Sequence, residues 1–107
     1  MADLTDYWLT FRIGNVTVGG VTSNQRRDAL YDTINDLSSS WWVEPTSFIL
    51  FDSHEGIEAI AAKCRSAISA SNDMVLIRKL NKQDAQVIGK IDNPDMLRAF
   101  MPYLPTK

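Results

Sequence analysis

The chain has 107 residues, of which 45% are hydrophobic and 22% charged, and its formal net charge is −2. This composition is typical of a globular protein and excludes disorder of the whole chain. The length predicts a single domain spanning residues 1–107. The negative net charge argues against a protein that coats nucleic acid non-specifically, although a local basic patch is compatible with it.

The same bulk features predict where the protein works. No apolar run approaches the roughly 20 residues that a membrane-spanning helix needs. Residues 1–6 are acidic where a secretory signal would be basic. The one cysteine, Cys64, cannot form an intramolecular disulfide. We therefore expect a cytoplasmic protein of bacterial style that has no membrane partner.

The first predicted element is a strand at 7–13, because two sets of side chains alternate there over seven residues. The core-facing side chains are those of Tyr7, Leu9, Phe11 and Ile13. The opposite face carries those of Trp8, Thr10 and Arg12. The sequence "GNVTVGG" at 14–20 is predicted as a loop with some strand character, with a tight hairpin as the alternative. A helix is predicted from an N-cap at Ser23 to the serines at 38–40.

The stretch "WWVEPTSFILF" at 41–51 is the densest aromatic and β-branched run of the chain. Pro45 cannot donate to a strand ladder, so we predict two strands, at 41–44 and 47–52. The sequence "DSHEGIEAIAAKCRSAI" at 52–68 is the clearest helix because its apolar residues form one stripe, and Asp52 or Ser53 is predicted to cap it. Strands at 74–80 and 87–91 and a short helix that begins at Pro94 complete the pattern.

This order of elements predicts an α+β fold: a ferredoxin-like β-α-β-β-α-β sheet with an extra C-terminal strand and a short helix. In this arrangement both long helices cover one face of an antiparallel sheet, and the other face is left bare. Strand alternation places Trp8 and one of Trp41 and Trp42 off the core face. Large exposed indoles mark contact surfaces, so we predict a homodimer through the open face or a sheet edge. The alternative places one tryptophan at the core edge and the other under a loop.

Four segments between Tyr7 and Ile91 carry a family resemblance: "YWLTFRI", "SNQRRDAL", "VEPTSFILFDS" and "NDMVLIRKLNKQDAQVIGKI". Their joint order and spacing resembles that of the small CRISPR-adaptation protein superfamily, which includes the virulence-associated protein D toxins. The resemblance implies a dimer in which the last strand, with Val87 and Ile88, pairs with the partner protomer. It also implies metal-dependent cleavage of RNA or DNA in some members, which carry an aspartate at the end of strand one. This chain has Arg12 there, and a guanidinium repels Mg²⁺.

We therefore expect a non-catalytic or cryptic relative of these nucleases that binds nucleic acid or a partner protein through its dimer surface. The alternative is a toxin-type, metal-dependent endoribonuclease, for which Asp52 and His54 are the catalytic candidates. For both residues a capping role at a helix N-terminus is the favoured interpretation. A small-ligand-binding regulatory domain is a third possibility, on fold analogy alone. One histidine and one cysteine cannot supply a structural zinc site, and we expect no metal or cofactor.

Three arginines are the candidate nucleic-acid-binding residues: Arg12, Arg26 and Arg27. The first ends strand one and the other two open helix one, so we expect all three at the same end of the sheet. The alternative is a solvated helix face balanced by Asp28 and Asp32. A second basic group at 78–82 is favoured as a solvated strand end.

Overall fold

The computed structural model describes residues 4–80, 87–88 and 90–102. Its elements follow one another as β1 (Thr5–Arg12), α1 (Ser23–Leu37), β2 (Ser38–Trp42), β3 (Phe48–Ser53), α2 (Ile57–Ala67), β4 (Met74–Lys79) and α3 (Pro94–Phe100). The strands form one antiparallel sheet in the order β2-β3-β1-β4. The predicted α+β fold with ferredoxin-like element order and a short C-terminal helix is confirmed. Within these residues, no helix is long and apolar enough to cross a membrane.

The main core lies between the sheet and the two long helices. Alternate residues of β1 are buried, as predicted: Tyr7, Leu9 and Phe11. They pack against buried residues of β3, α1 and α2: Ile49, Phe51, Leu30, Ile34, Ile60 and Cys64. Full burial of one large apolar side chain contributes about 1.5–3 kcal/mol. This layer is therefore a main source of stability.

The second face of the sheet is partly covered, which corrects the prediction of a bare face. Leu97 and Phe100 of α3 are buried against Leu50 of β3. Partly buried side chains surround these three: Trp8, Trp42, Phe48, Leu80, Val87, Ile91, Met96 and Met101. We call these eleven residues the α3 cluster. It forms because the apolar side of α3 removes the aromatic side chains of the sheet from water.

The predicted extra strand at 87–91 is wrong. Val87 forms a single bridge, and residues 88, 90 and 91 have no strand conformation, whereas Gly89 lies outside the described residues. Val87 and Ile91 instead pack in the α3 cluster. Their apolar side chains are thus partly buried by contact with the second sheet face, without pairing at a sheet edge.

The helix starts also differ from the prediction. α1 is capped by Thr22 in place of Ser23: its Oγ1 accepts from the Gln25 N–H at 3.1 Å, and the Gln25 side chain accepts from the Thr22 N–H at 2.8 Å. α2 begins after Gly56, which makes no side-chain cap. The prediction that Asp52 or Ser53 caps α2 is wrong, because both belong to β3.

A buried ion pair joins Arg26 of α1 to Asp73, the residue before β4. Arg26 Nε donates to Asp73 Oδ2 at 2.8 Å and Nη2 donates to Oδ1 at 3.3 Å. Burial would raise the pKa of Asp73, but hydrogen bonds from Arg26, Ser69 N–H and Gly14 N–H, together with the Arg26 charge, outweigh it. The pKa of Asp73 therefore lies below its ordinary value, and the carboxylate is charged in the fold.

The Arg26 guanidinium uses all of its donors inside the protein. Besides its two bonds to Asp73, Nη1 donates to the carbonyl oxygens of Val16 and Val21 at 3.0 and 2.9 Å, and Nη2 to that of Gly14 at 2.9 Å. A guanidinium carries five N–H donors, and all five are engaged. The ion pair therefore holds the loop at 14–21 against α1 and the start of β4.

Replacement of Arg26 should be strongly destabilising. Arg26→Ala leaves Asp73 buried without its partner, and breaking a buried pair in this way costs about 3–5 kcal/mol in free energy of unfolding. The matched control is Arg27→Ala, since Arg27 is partly exposed and donates to Asn24. The control should cost less than about 1 kcal/mol. Urea denaturation of both variants checks this, and equal losses would contradict it.

Candidate nucleic-acid interface

The structure separates the three predicted arginines. Arg12 is exposed at the end of β1, and by alternation with the buried Phe11 it lies on the second sheet face. Arg27 lies on α1, which packs on the opposite face. Arg26 is buried, with no donor left for a phosphate, so its predicted binding role is wrong. The predicted roles of Arg12 and Arg27 stay predictions, but the two do not share a surface.

A different arginine shares a sheet face with Arg12. In the pairing of β1 with β4, Trp8 is opposite Arg78 and Arg12 is opposite Met74. Residues opposite each other in an antiparallel pair lie on the same face. Arg12 and Arg78 are therefore both on the second face, four residues apart along the strands, or about 13 Å. Leu76, opposite Thr10, lies between them.

We call Thr10, Arg12, Met74, Leu76 and Arg78 the β1–β4 surface. None of the five belongs to the α3 cluster. Both arginines are exposed, and Met74 and Leu76 are 41% and 52% exposed. The five positions carry two positive charges and no carboxylate on a chain of net charge −2. Strand alternation in "MVLIRK" is the sequence signal that identifies Arg78, once its pairing with β1 is known.

The predicted interface tryptophans pack within the protomer. Trp41 lies on the helix side, edge-on to Tyr31 at a ring distance of 6.2 Å. Trp8 and Trp42 lie on the second face, 6.2 and 6.4 Å from Phe48. The prediction that Trp8 and one of Trp41 and Trp42 lie off the core face is therefore correct, and the structure identifies the second one as Trp42. The predicted exposure of these two side chains is wrong because the α3 cluster includes both.

The two remaining predicted interface residues, Val87 and Ile88, differ in their exposure. Val87 also packs in the α3 cluster, whereas Ile88 is 79% exposed. A large aliphatic side chain with this exposure is a candidate contact residue. Ile88 therefore becomes the main remaining side-chain argument for a protein contact.

Asp52, a predicted catalytic candidate, has a structural role at the other end of the sheet. Its Oδ1 accepts from the N–H groups of Ser39 and Ser40 at 3.1 and 2.7 Å. These residues lie where the register of β2 shifts, between Ser38 and Trp41. An irregular strand leaves N–H groups without ladder partners. The Asp52 carboxylate satisfies two of them.

A second carboxylate, Asp6 of β1, lies directly opposite Asp52 in the sheet. Partial burial raises the pKa of Asp6, and the negative charge of Asp52 raises it further. His54 is exposed just after β3 ends. In the part of the chain that the structure describes, no group of three or more His, Cys, Asp or Glu is placed to hold a metal ion. The catalytic roles of Asp52 and His54 stay predictions. The Asp6–Asp52 pair was missed because strand register cannot be read from either strand alone.

A scan of the chain against protein-family models finds no match, and searches among curated proteins and solved structures find no similar protein. The resemblance to the CRISPR-adaptation and virulence-associated protein D superfamily therefore stays an expectation from the four sequence segments.

Because of the Asp6–Asp52 pair, we expect Asp6→Asn to increase thermal stability in a pH-dependent manner. The pKa of Asp6 is raised in the fold, so its stabilising contribution is present below its unfolded pKa and lost as the pH rises through the folded value. The uncharged variant should therefore unfold at a higher temperature than wild type near neutral pH. Near pH 3, where the wild-type carboxyl is protonated, the difference should shrink towards zero.

The matched control for this test is Asp32→Asn, on an exposed position of α1. It should change the unfolding temperature little at either pH. Thermal unfolding followed by circular dichroism gives both comparisons. An Asp6→Asn variant less stable than wild type at neutral pH would show that the carboxylate has a favourable partner there.

Proposed function

We propose that the protein binds nucleic acid without cleaving it and holds a single strand on the β1–β4 surface. The observation that supports this proposal is the placement of Arg12 and Arg78, both exposed, on the part of the second face that the α3 cluster leaves uncovered. Guanidinium groups are preferred partners of phosphate because their N–H groups donate in pairs to its oxygens.

The geometry favours a single strand over a duplex. A separation of about 13 Å between Arg12 and Arg78 along the strands exceeds the spacing of adjacent phosphates, so each arginine would contact a different phosphate. The exposed side chains of Met74 and Leu76 offer an apolar surface between these contacts. Unpaired bases can lie on such a surface, whereas the bases of a duplex are stacked inside it.

Arg12 also gives a physical reason to expect binding without cleavage. In the cleaving members of the family that the sequence resembles, the matching position carries a metal-binding aspartate. Here the side chain is a cation, which repels a divalent metal and attracts a phosphate. Arg12 would then contact the phosphates of a nucleic acid, as the substrates of those relatives are, but it would not bind the metal that their cleavage chemistry needs.

Removal of the two arginines should weaken binding and reduce its salt dependence. We expect an Arg12→Ala, Arg78→Ala variant to bind a labelled single-stranded RNA of about 12 nucleotides less tightly than wild type. Each lost phosphate contact reduces the slope of log affinity against log salt by about 0.7 for single strands, so the slope should change by about 1.4. Fluorescence anisotropy between 50 and 200 mM salt measures both quantities.

A Lys63→Ala, Lys79→Ala variant is the matched control, because it removes the same charge from exposed positions outside the β1–β4 surface. An equal loss of affinity in the control would show that binding depends on net charge alone and not on the β1–β4 surface. Absence of wild-type binding at low salt would favour a protein partner. The RNA should also stay intact with Mg²⁺ or Mn²⁺. Cleavage that survives repurification and is lost in Asp52→Ala or His54→Ala would instead favour the ribonuclease alternative.

We also propose a homodimer, on grounds that differ from the predicted tryptophan contact. β4 is an edge strand of the described sheet, and edge strands are templates for pairing with another chain. Ile88 is the most exposed large apolar side chain of the described residues. Pairing of two β4 edges would place two β1–β4 surfaces side by side. It would double the positive charge that one nucleic-acid strand can contact.

The wild-type protein should sediment at twice the monomer mass at micromolar concentration. Ile88→Lys should shift the equilibrium towards monomer, because it places a charge in an apolar contact. Trp42→Phe should remain dimeric, since Trp42 packs within the protomer. Analytical ultracentrifugation of the three proteins makes the comparison. A wild-type monomer, or dissociation by Trp42→Phe alone, would contradict the proposed arrangement.

A further inference from the structure

A cavity of about 290 Å³ lies on the helix side of the sheet, between α2 and β4. Ala61 and Cys64 of α2 are the small side chains that border it, and Val75 and Ile77 border it from β4. Val75 and Ile77 remain only partly buried. The cavity exists because the small side chains of α2 do not fill the space above the larger side chains of the strand.

The greater part of the cavity wall is apolar, and its one thiol is chemically unreactive. Cys64 is buried, and this burial raises the pKa of its thiol to about 11. The thiol therefore stays protonated at neutral pH and acts as a small apolar group. Ile68, after the end of α2, adds a further aliphatic side chain to the wall.

Two charged residues border the cavity, and only one of them is available to a ligand. The Asp73 side chain is fully buried, and its charge is balanced by the ion pair with Arg26. Arg65 is exposed, and among the described residues it makes no ion pair or hydrogen bond. The free charge at the cavity is therefore positive.

We propose that this cavity binds a small carboxylate with an apolar body, whose carboxylate group pairs with Arg65. The apolar body lies against Ile68, Val75 and Ile77. A planar guanidinium binds a carboxylate through two parallel hydrogen bonds, which fixes the orientation of the ligand. At roughly 30 Å³ per water-sized group, the cavity holds about ten non-hydrogen atoms.

The proposed site shares only Met74, the first residue of β4, with the proposed nucleic-acid surface. The cavity lies on the helix side of β4, whereas Leu76 and Arg78 lie on the other face of that strand. Failure of either proposal therefore leaves the other standing.

Octanoate, with ten non-hydrogen atoms, is the probe for this site. The full chain is labelled with ¹³C-methyl isoleucine, because Ile77 borders the cavity from the helix side of β4 whereas Ile91 lies in the α3 cluster. Octanoate should shift the Ile77 methyl signal, assigned with an Ile77→Val variant, in a saturable manner with Kd below about 1 mM. The Ile91 signal should stay in place.

Two comparisons test the charge. Arg65→Gln should weaken octanoate binding at least about tenfold, because hydrogen bonds to a charged group are lost. Lys63→Gln removes the same charge from an exposed position of the same helix, and it should bind as wild type does. Octan-1-ol, which has the apolar chain without the carboxylate, should bind at least about tenfold more weakly than octanoate.

Three results would overturn the proposal. The first is no saturable shift of the Ile77 signal at 5 mM octanoate, chosen as about five times the expected limit of Kd. The second is unchanged affinity in Arg65→Gln. The third is equal binding of octan-1-ol and octanoate, which would make the cavity an adventitious apolar gap.

Discussion

The helix side of the sheet depends on the buried ion pair between Arg26 and Asp73. It joins residues 47 positions apart in the chain and fixes the start of α1, the loop at 14–21 and the start of β4 together. A buried pair stabilises a fold only when hydrogen bonds satisfy its remaining donors and acceptors, and here all five donors and both carboxylate oxygens are satisfied. Gly14 belongs to the same constraint. A Cβ there would lie 2.7 Å from the Asn72 carbonyl oxygen, so the loop and the turn approach too closely for a side chain.

Local patterns predicted most of the fold and little of this ion pair. Alternation in β1 and helical spacing in α1 and α2 are properties of a few consecutive residues, and the element order follows from them. Arg26 and Arg27 are adjacent in "NQRRD", and nothing local distinguishes them. Their roles differ because the partner of Arg26 is distant in sequence. The three-arginine patch was wrong for this reason and because Arg12 and Arg27 lie on opposite sides of the sheet. The shared face of Arg12 and Arg78 could not be predicted, because it depends on the register of β1 with β4.

The adjacent tryptophans show a second limit of sequence patterns. Alternation sends Trp41 and Trp42 to opposite faces, and the structure provides a core on each: the helix layer for Trp41 and the α3 cluster for Trp42. A bare second face was expected because a helix of seven residues carries no local sign of where it packs. Its position is set by the burial of Leu97 and Phe100 against Leu50. The indoles of Trp8 and Trp42, which were expected to form a dimer contact, instead pack with α3 within the protomer.

The edge strand β4 connects the remaining functional proposals. Val75 and Ile77 border the cavity on one side, and Leu76 and Arg78 lie on the other side with Arg12. The described sheet holds this strand through β1 alone, and Asp73 fixes its first residue from the helix side. Substitutions on the two faces of β4 should therefore affect the two proposed sites separately as long as the backbone stays in place. A substitution that breaks the Arg26–Asp73 pair releases that backbone and should change both proposed sites together, because the same ion pair that stabilises the fold also positions β4.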